Sequence, residues 1–211
     1  MSVISRRFLI AATAATAATA ATVLVPPFTA RAADNGAVAI VSALYDALLQ
    51  AMKGGKQLGF AGRRDLLAPA VTRAFDLPLM ARITVGPQWA NMSADDQQKL
   101  VSAFSDYSIA TYANRFDDYS GEKFDVSPQA APSTSGDVIV HSKLVPSSGD
   151  PVELDYLMRQ IGGTWKIVDV FLSGTISQLA AQRSEFTAVL RRGGAAALIQ
   201  SLHEKVAQLA S

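Results

Sequence analysis

The chain has 211 residues, 49% of them hydrophobic, a formal charge of +1, two histidines and no cysteine. That excludes a thiol nucleophile, a Cys-ligated metal and a disulfide framework, and it leaves no clustered basic surface for nucleic acid. The apolar fraction is sufficient for one domain with a real hydrophobic core.

Residues 1–32 carry the three parts of a secretory signal peptide: Arg6-Arg7, an apolar stretch from Phe8 to Val25, and the small-x-small site Ala30-Arg31-Ala32. The apolar stretch is too rich in Ala and Thr to make a good membrane span. Cleavage after Ala32 is expected, with an uncleaved N-terminal anchor as the alternative. Phe8 follows the arginine pair without a spacer, so the twin-arginine route and general secretion fit about equally. Losing Arg6, Arg7 and Arg31 with no acid takes the formal charge from +1 to −2. The basic balance thus belongs to the leader, and residues 33–211 are expected to work as a single exported domain. No later apolar run reads as long enough to span a bilayer.

Val38, Val41, Leu44, Tyr45, Leu48 and Met52 recur at helical spacing, predicting a helix over 34–52 that ends at Gly54-Gly55. A short helix is predicted to begin near Pro69, a residue suited to a first turn. Phe75-Asp76-Leu77-Pro78 reads as a break and a new start, and Gly86-Pro87 as the next stop. Ser93-Ala94-Asp95-Asp96 is a helix-start signal, because the hydroxyl caps free amides and the acids suit the positive end. The helix behind it carries Leu100, Phe104, Tyr107, Tyr112 and Phe116.

The period then changes to two. Phe124 to Gln129, Asp137 to Val145, Val152 to Ile161 and Trp165 to Leu172 alternate as strands do, with turns at 146–151 and Gly162-Gly163. Short turns between sequential strands predict a four-stranded antiparallel meander. Val152, Leu154, Tyr156 and Met158 share one face of the third strand; Glu153, Asp155, Leu157 and Arg159 share the other. Ile176, Leu179, Phe186 and Leu190 define a further helix, and Leu198, Leu202, Val206 and Leu209 another beyond Gly193-Gly194. The fold class is α+β, a meander sheet covered by N- and C-terminal helices.

Catalytic patterns are missing. His141 sits on a predicted strand and His203 on the last helix, neither with a partner nearby in sequence, so no metal site is expected. There is no Gly-x-Ser-x-Gly elbow and no phosphate-cradling glycine loop, and no cofactor is expected. Asp95-Asp96, Asp117-Asp118 and Glu153 with Asp155 read as caps and solvated faces. Asp169 stands out on a strand among apolar residues, where an ion pair or backbone cap is the plain reading. Phe75, Met80, Trp89, Phe104, Tyr107, Tyr112, Tyr156, Met158, Phe171 and Phe186 are either core or, as a set, the wall of a cavity; periodicity does not separate the two.

The order of several stretches resembles the MlaC family, also called the toluene-tolerance or ABC-transporter auxiliary family of periplasmic lipid-binding proteins. They are Phe75-Asp76 with Met80-Ala81, Gly86 with Trp89, Phe104 with Tyr112, Leu154-Asp155-Tyr156, Trp165 to Val170 with Gly174, Arg183 to Phe186, and Gly193-Gly194. The likeness runs from about Val38 to Leu209. Gln182 departs from it, since members often carry tyrosine before the arginine. Gly174-Thr175-Ile176-Ser177 and Arg183-Ser184-Glu185-Phe186 look closer to the branch associated with hopanoid biosynthesis, which makes a polycyclic lipid an alternative to a phospholipid.

The resemblance implies a periplasmic carrier, not an enzyme. It would bury lipid tails between sheet and helices, leave the headgroup in water, touch membranes transiently, and exchange cargo with an inner-membrane transporter complex and an outer-membrane acceptor. The cavity lining expected on this basis is Leu79, Met80, Phe104, Val140, Leu154, Tyr156, Met158, Ile167 and Leu179. Two rivals stand beside it. One is a small cone-shaped isomerase or dehydratase using Asp169 and His141, and the other is an adaptor with a filled core and no ligand.

Overall fold

The computed structural model describes residues 28–211; the expected leader falls for the most part outside the described residues. Helix α1 (Phe28–Ala74) is broken by two glycines with positive φ, Gly55 at 38° and Gly59 at 60°. The first break is the one the Gly54-Gly55 pair predicts. The helix beyond the second break starts well before Pro69, which lies inside it and not at its first turn. Leu67 and Val71, both fully buried, anchor the turns around that proline, so packing outweighs its missing backbone donor. Arg63 ties the broken stretch to the rest. It is buried and donates Nε to the Ala113 carbonyl (2.8 Å) and Nη1 to the Gly55 carbonyl (2.9 Å). By length and hydropathy the Gly36–Ala74 part of α1 could cross a membrane, contrary to the sequence reading. Its apolar stripe, including Val41, Leu44 and Leu48, is instead buried in the protein core.

Helix α2 (Leu77–Val85) starts where the sequence indicates: the Asp76 carboxylate accepts from the Leu79 amide at 3.0 Å, with Pro78 in the first turn. Gly86, at φ 66°, ends it, and a 3-10 turn follows over Gly86–Asn91. Helix α3 (Ala94–Arg115) is capped by Ser93, whose hydroxyl accepts from the Asp96 amide.

The sheet has six strands where four were expected: β1 (Lys123–Val126), β2 (Ala131–Pro132), β3 (Val138–Val145), β4 (Val152–Ile161), β5 (Thr164–Leu172) and β6 (Ile176–Ser177). The meander β3-β4-β5 is antiparallel throughout, with β6 on the β5 edge. Strands β1 and β2 both pair with β3, so they are one edge strand interrupted at 127–130. Ile176, expected on a helix, lies in β6 and is 56% exposed.

A bulge at Val168 shifts the β4–β5 register: Tyr156 faces Val170, while Met158 faces Ile167. The extra residue switches which parity of β5 points inward, from Trp165 and Ile167 to Val170 and Leu172. Helix α4 (Gln178–Leu209) closes the chain. Ser177 caps it by accepting from the Ala180 amide, and it bends at Gly193-Gly194, where Gly194 has φ 67°. All four helices gather on one face of the sheet, above Val140, Tyr156, Met158 and Ile167. The opposite face carries the charged cross-strand rows Asp125–Lys143–Glu153 and His141–Asp155.

Candidate lipid cavity

Between the helices and the β4–β5 half of the sheet lies a cavity of about 310 Å³. Its floor is apolar: Leu154 and Tyr156 from β4, Val170 and Leu172 from β5, Val71 and Phe75 from the end of α1, Leu77 and Met80 from α2, and Leu179 from α4. Helix α3 supplies one wall. Phe104, Tyr107, Ser108, Thr111, Tyr112, Arg115 and Phe116 follow the three-and-four spacing of a single helical face. Gln178, Ala181, Gln182 and Glu185 of α4 form the facing wall. Depth and polarity go together. Phe104, Tyr156 and Leu179 are buried, whereas Tyr107, Ser108, Thr111, Gln178 and Gln182 are partly exposed and Arg115, Ala181 and Glu185 are exposed. The cavity therefore opens through the cleft between α3 and the first half of α4, with greasy depth and a polar rim.

A run of aromatic contacts stiffens one side. Phe75 meets Tyr112 at 5.5 Å between centroids, Tyr112 stacks on Phe116 at 5.9 Å, and Phe116 meets Phe124 at 6.1 Å. Phe124 stacks on Tyr45 at 4.0 Å, and Tyr45 meets the Tyr156 ring edge-on. Rings of this size have few rotamers, so they hold a wall without collapsing into the space beside it. A polar pair in the adjoining core is satisfied: the Tyr45 hydroxyl bonds Ser142 Oγ, which donates to the Leu154 carbonyl. Burial pushes the Tyr112 and Tyr156 phenols above their usual range. Both stay protonated at neutral pH, and the floor carries no charge.

Five of the nine expected lining residues meet here: Met80, Phe104, Leu154, Tyr156 and Leu179. Four do not. Val140, Met158 and Ile167 point inward and are fully buried, but none lines the cavity; Met158 lies opposite both Val138 and Ile167. Leu79 is one residue round α2 from Met80, turned off the cavity by the 100° step of a helix. Val71, Leu77, Val170 and Leu172 were missed, as were the polar wall residues. The α3 stripe was legible as a spacing of Phe104, Tyr107, Tyr112 and Phe116; Ser108 and Thr111 carry no apolar signal that would add them to it.

The enzyme residues do not converge. His141 Nδ1 is 3.0 Å from Asp155 on the outer sheet face and half exposed. Asp169 accepts from Ser177 Oγ (2.6 Å) and from the Val170 and Leu179 amides, so it fastens the start of α4 to the bulge. That is the backbone-cap reading. Neither residue lines the cavity. A second hollow, about 680 Å³, lies over the charged outer face, lined by His141, Lys143, Glu153 and Asp155 among others, and has no greasy floor. Among the described residues no cluster of His, Asp or Glu could hold a metal ion.

No curated protein matches the chain. Among solved structures it is similar to a phospholipid-binding protein from Ralstonia solanacearum, solved in complex with a phospholipid. The two are 28% identical with a TM-score of 0.71, over 83% of this chain and 99% of that one. The MlaC protein family matches residues 42–204. This α+β chain, with helices gathered over one face of an open antiparallel sheet, belongs to the MlaC family.

Proposed function

We propose that the protein is a lipid carrier of the periplasm, released there by cleavage near Ala32, that buries the apolar part of a lipid in the α3–α4 cavity. The observation that supports this reading is the coincidence of an uncharged apolar floor with a polar rim in one cleft. Each methylene left in water costs about 0.8 kcal/mol, so a two-chain lipid with on the order of 30 methylenes meets a gross barrier above ~20 kcal/mol when it leaves a bilayer. A protein cavity that replaces the bilayer removes most of that cost. The cavity, at about 310 Å³, is at the small end for a ligand site. A two-chain lipid therefore needs α3 and the first half of α4 to move apart on loading. Exchange with an inner-membrane transporter complex and an outer-membrane acceptor, through transient membrane contact, would drive that opening and set the direction of transport.

The hopanoid reading keeps a foothold at one residue: of the two stretches that look like that branch, Glu185 alone lines the cavity. Ser177 caps α4, and the Arg183 guanidinium lies against Gly86. Native mass spectrometry of protein purified from its own host tests the carrier function. A stoichiometric co-purified lipid is the expected result, and its mass names the cargo. Protein that emerges empty from every membrane-containing preparation, and that extracts nothing from vesicles, would overturn it.

A further inference from the structure

The cavity wall holds two charged side chains, and they are not equivalent. Glu185 is neutralised by Lys205 at 2.7 Å, and that ammonium also lies over the Tyr107 ring. Arg115 is exposed and makes no hydrogen bond or ion pair among the described residues, although it lines the same cavity. The other polar groups along α3 are already engaged: Ser108 Oγ donates to the Phe104 carbonyl and Thr111 Oγ1 to the Tyr107 carbonyl. Arg115 lies eight residues beyond Tyr107, about 12 Å along the helix. The cleft is thus polarised along its length, with a paired carboxylate at one end and a free guanidinium at the other. Its charge is felt inside: burial and the neighbouring Tyr45 raise the Tyr112 phenol, and Arg115 pulls it back down.

We infer that Arg115 is the headgroup-selecting residue of the cleft and takes the phosphate of a membrane phospholipid whose chains occupy the floor. The inference rests on the carrier reading and narrows its cargo to phosphate-bearing lipids over uncharged ones, polycyclic or diacyl. A guanidinium offers a planar fork of donors that matches two phosphate oxygens at once. Its place on the rim allows that contact without drawing the phosphate out of water, which avoids the desolvation penalty of a buried pair. The carbonyl end of α3 disfavours an anion there by about half a charge, so the full charge of Arg115 has to supply the attraction. At the far end the Lys205 ammonium is already taken up by Glu185, so that end offers a phosphate no free cation, and the lipid lies with its phosphate toward Arg115.

The test is competitive loading from vesicles that contain equal amounts of dioleoyl phosphatidylglycerol and dioleoylglycerol, two lipids with the same chains. Bound lipid is read by mass spectrometry. The wild type should load the phospholipid in preference, and Arg115→Gln should reduce the ratio about fivefold with an unchanged melting temperature. Arg115→Lys should keep a preference between the two. An equal ratio in wild type and Arg115→Gln, with lipid still loaded, overturns the inference and leaves the carrier reading standing. Loading of neither lipid by the wild type overturns both. Inorganic phosphate that stabilises the lipid-free wild type but not Arg115→Gln, with the lipid ratio unchanged, would assign Arg115 to a free anion and overturn the lipid assignment.

Discussion

Two adjacent stretches of the inner sheet face, equal by sequence, behave differently. Leu154 and Tyr156 face Leu172 and Val170 and floor a cavity, while Met158 and its partner Ile167, just past the register shift, are fully buried and line no part of it. All four are apolar or aromatic, inward and buried. The difference is made above them: the cavity walls supplied by α3 and the first half of α4 reach over the first stretch and not over the second. The Val168 bulge lies between the two regions, where β5 changes inward parity. Burial alone does not identify a cavity wall; what matters is whether an opposing side chain fills the space.

The largest expected effect sharpens that comparison with one added volume at two places. Met158→Trp forces an indole into close-packed core and should destabilise the protein by about 3 kcal/mol, measured by urea unfolding. Leu154→Trp grows into existing space and should stay within about 1 kcal/mol of wild type. Its signature is functional: lipid retained through purification should fall roughly tenfold, because the indole occupies volume that hydrocarbon needs. If the two variants were equally destabilised, the stretches would be alike and the cavity would not be real free space.

How far the sequence foretold this division depends on what each signal measures. The Asp76 and Ser93 caps, the Gly54-Gly55 and Gly193-Gly194 breaks and the β3–β5 meander were legible, because each is set by local chemistry. The helix around Pro69 was misplaced because tertiary burial of Leu67 and Val71 overrides a local breaker. For the cavity, alternation along β4 picked the inward residues correctly but gave no information about what lies opposite, so Met158 and Leu154 read alike. Arg115 has no distinctive signal in the sequence, because a basic residue in the last turn of a helix is also what the helix dipole favours.

An intermediate effect is expected on the cavity side of the sheet. Ser142 bridges the Tyr45 hydroxyl on α1 to the Leu154 carbonyl on the cavity floor. Ser142→Ala leaves a buried phenol without that partner and should cost about 1–2 kcal/mol in urea unfolding. It should also loosen the floor, so that amide exchange quickens at Leu154 and its β5 partner Leu172 while the Met158–Ile167 pair keeps its protection. Equal quickening in both would mean that the polar bridge belongs to the whole sheet and not to the cavity side.

The smallest effect is silent at neutral pH. Tyr112 stands in the cavity wall, and burial raises its phenol above the usual value near 10. Below that value both folded and unfolded chains keep the proton, and stability is unaffected. Above it the unfolded chain releases a proton that the folded chain still holds, so stability falls as pH rises, by up to about 1.4 kcal/mol per pH unit from this group. Tyr112→Phe removes that contribution. It should leave the urea midpoint at pH 7 nearly unchanged, since Tyr112 makes no hydrogen bond among the described residues, and should flatten the decline between pH 10 and 11. A Tyr156→Phe control carries a different expectation at pH 7, because that hydroxyl is coupled to Tyr45 within the core. Lipid in the cavity should leave that slope unchanged, because the folded chain already holds the Tyr112 proton throughout this range; hydrocarbon against Tyr112 makes its phenolate still harder to form and so carries the decline to higher pH, with no such change at Tyr45.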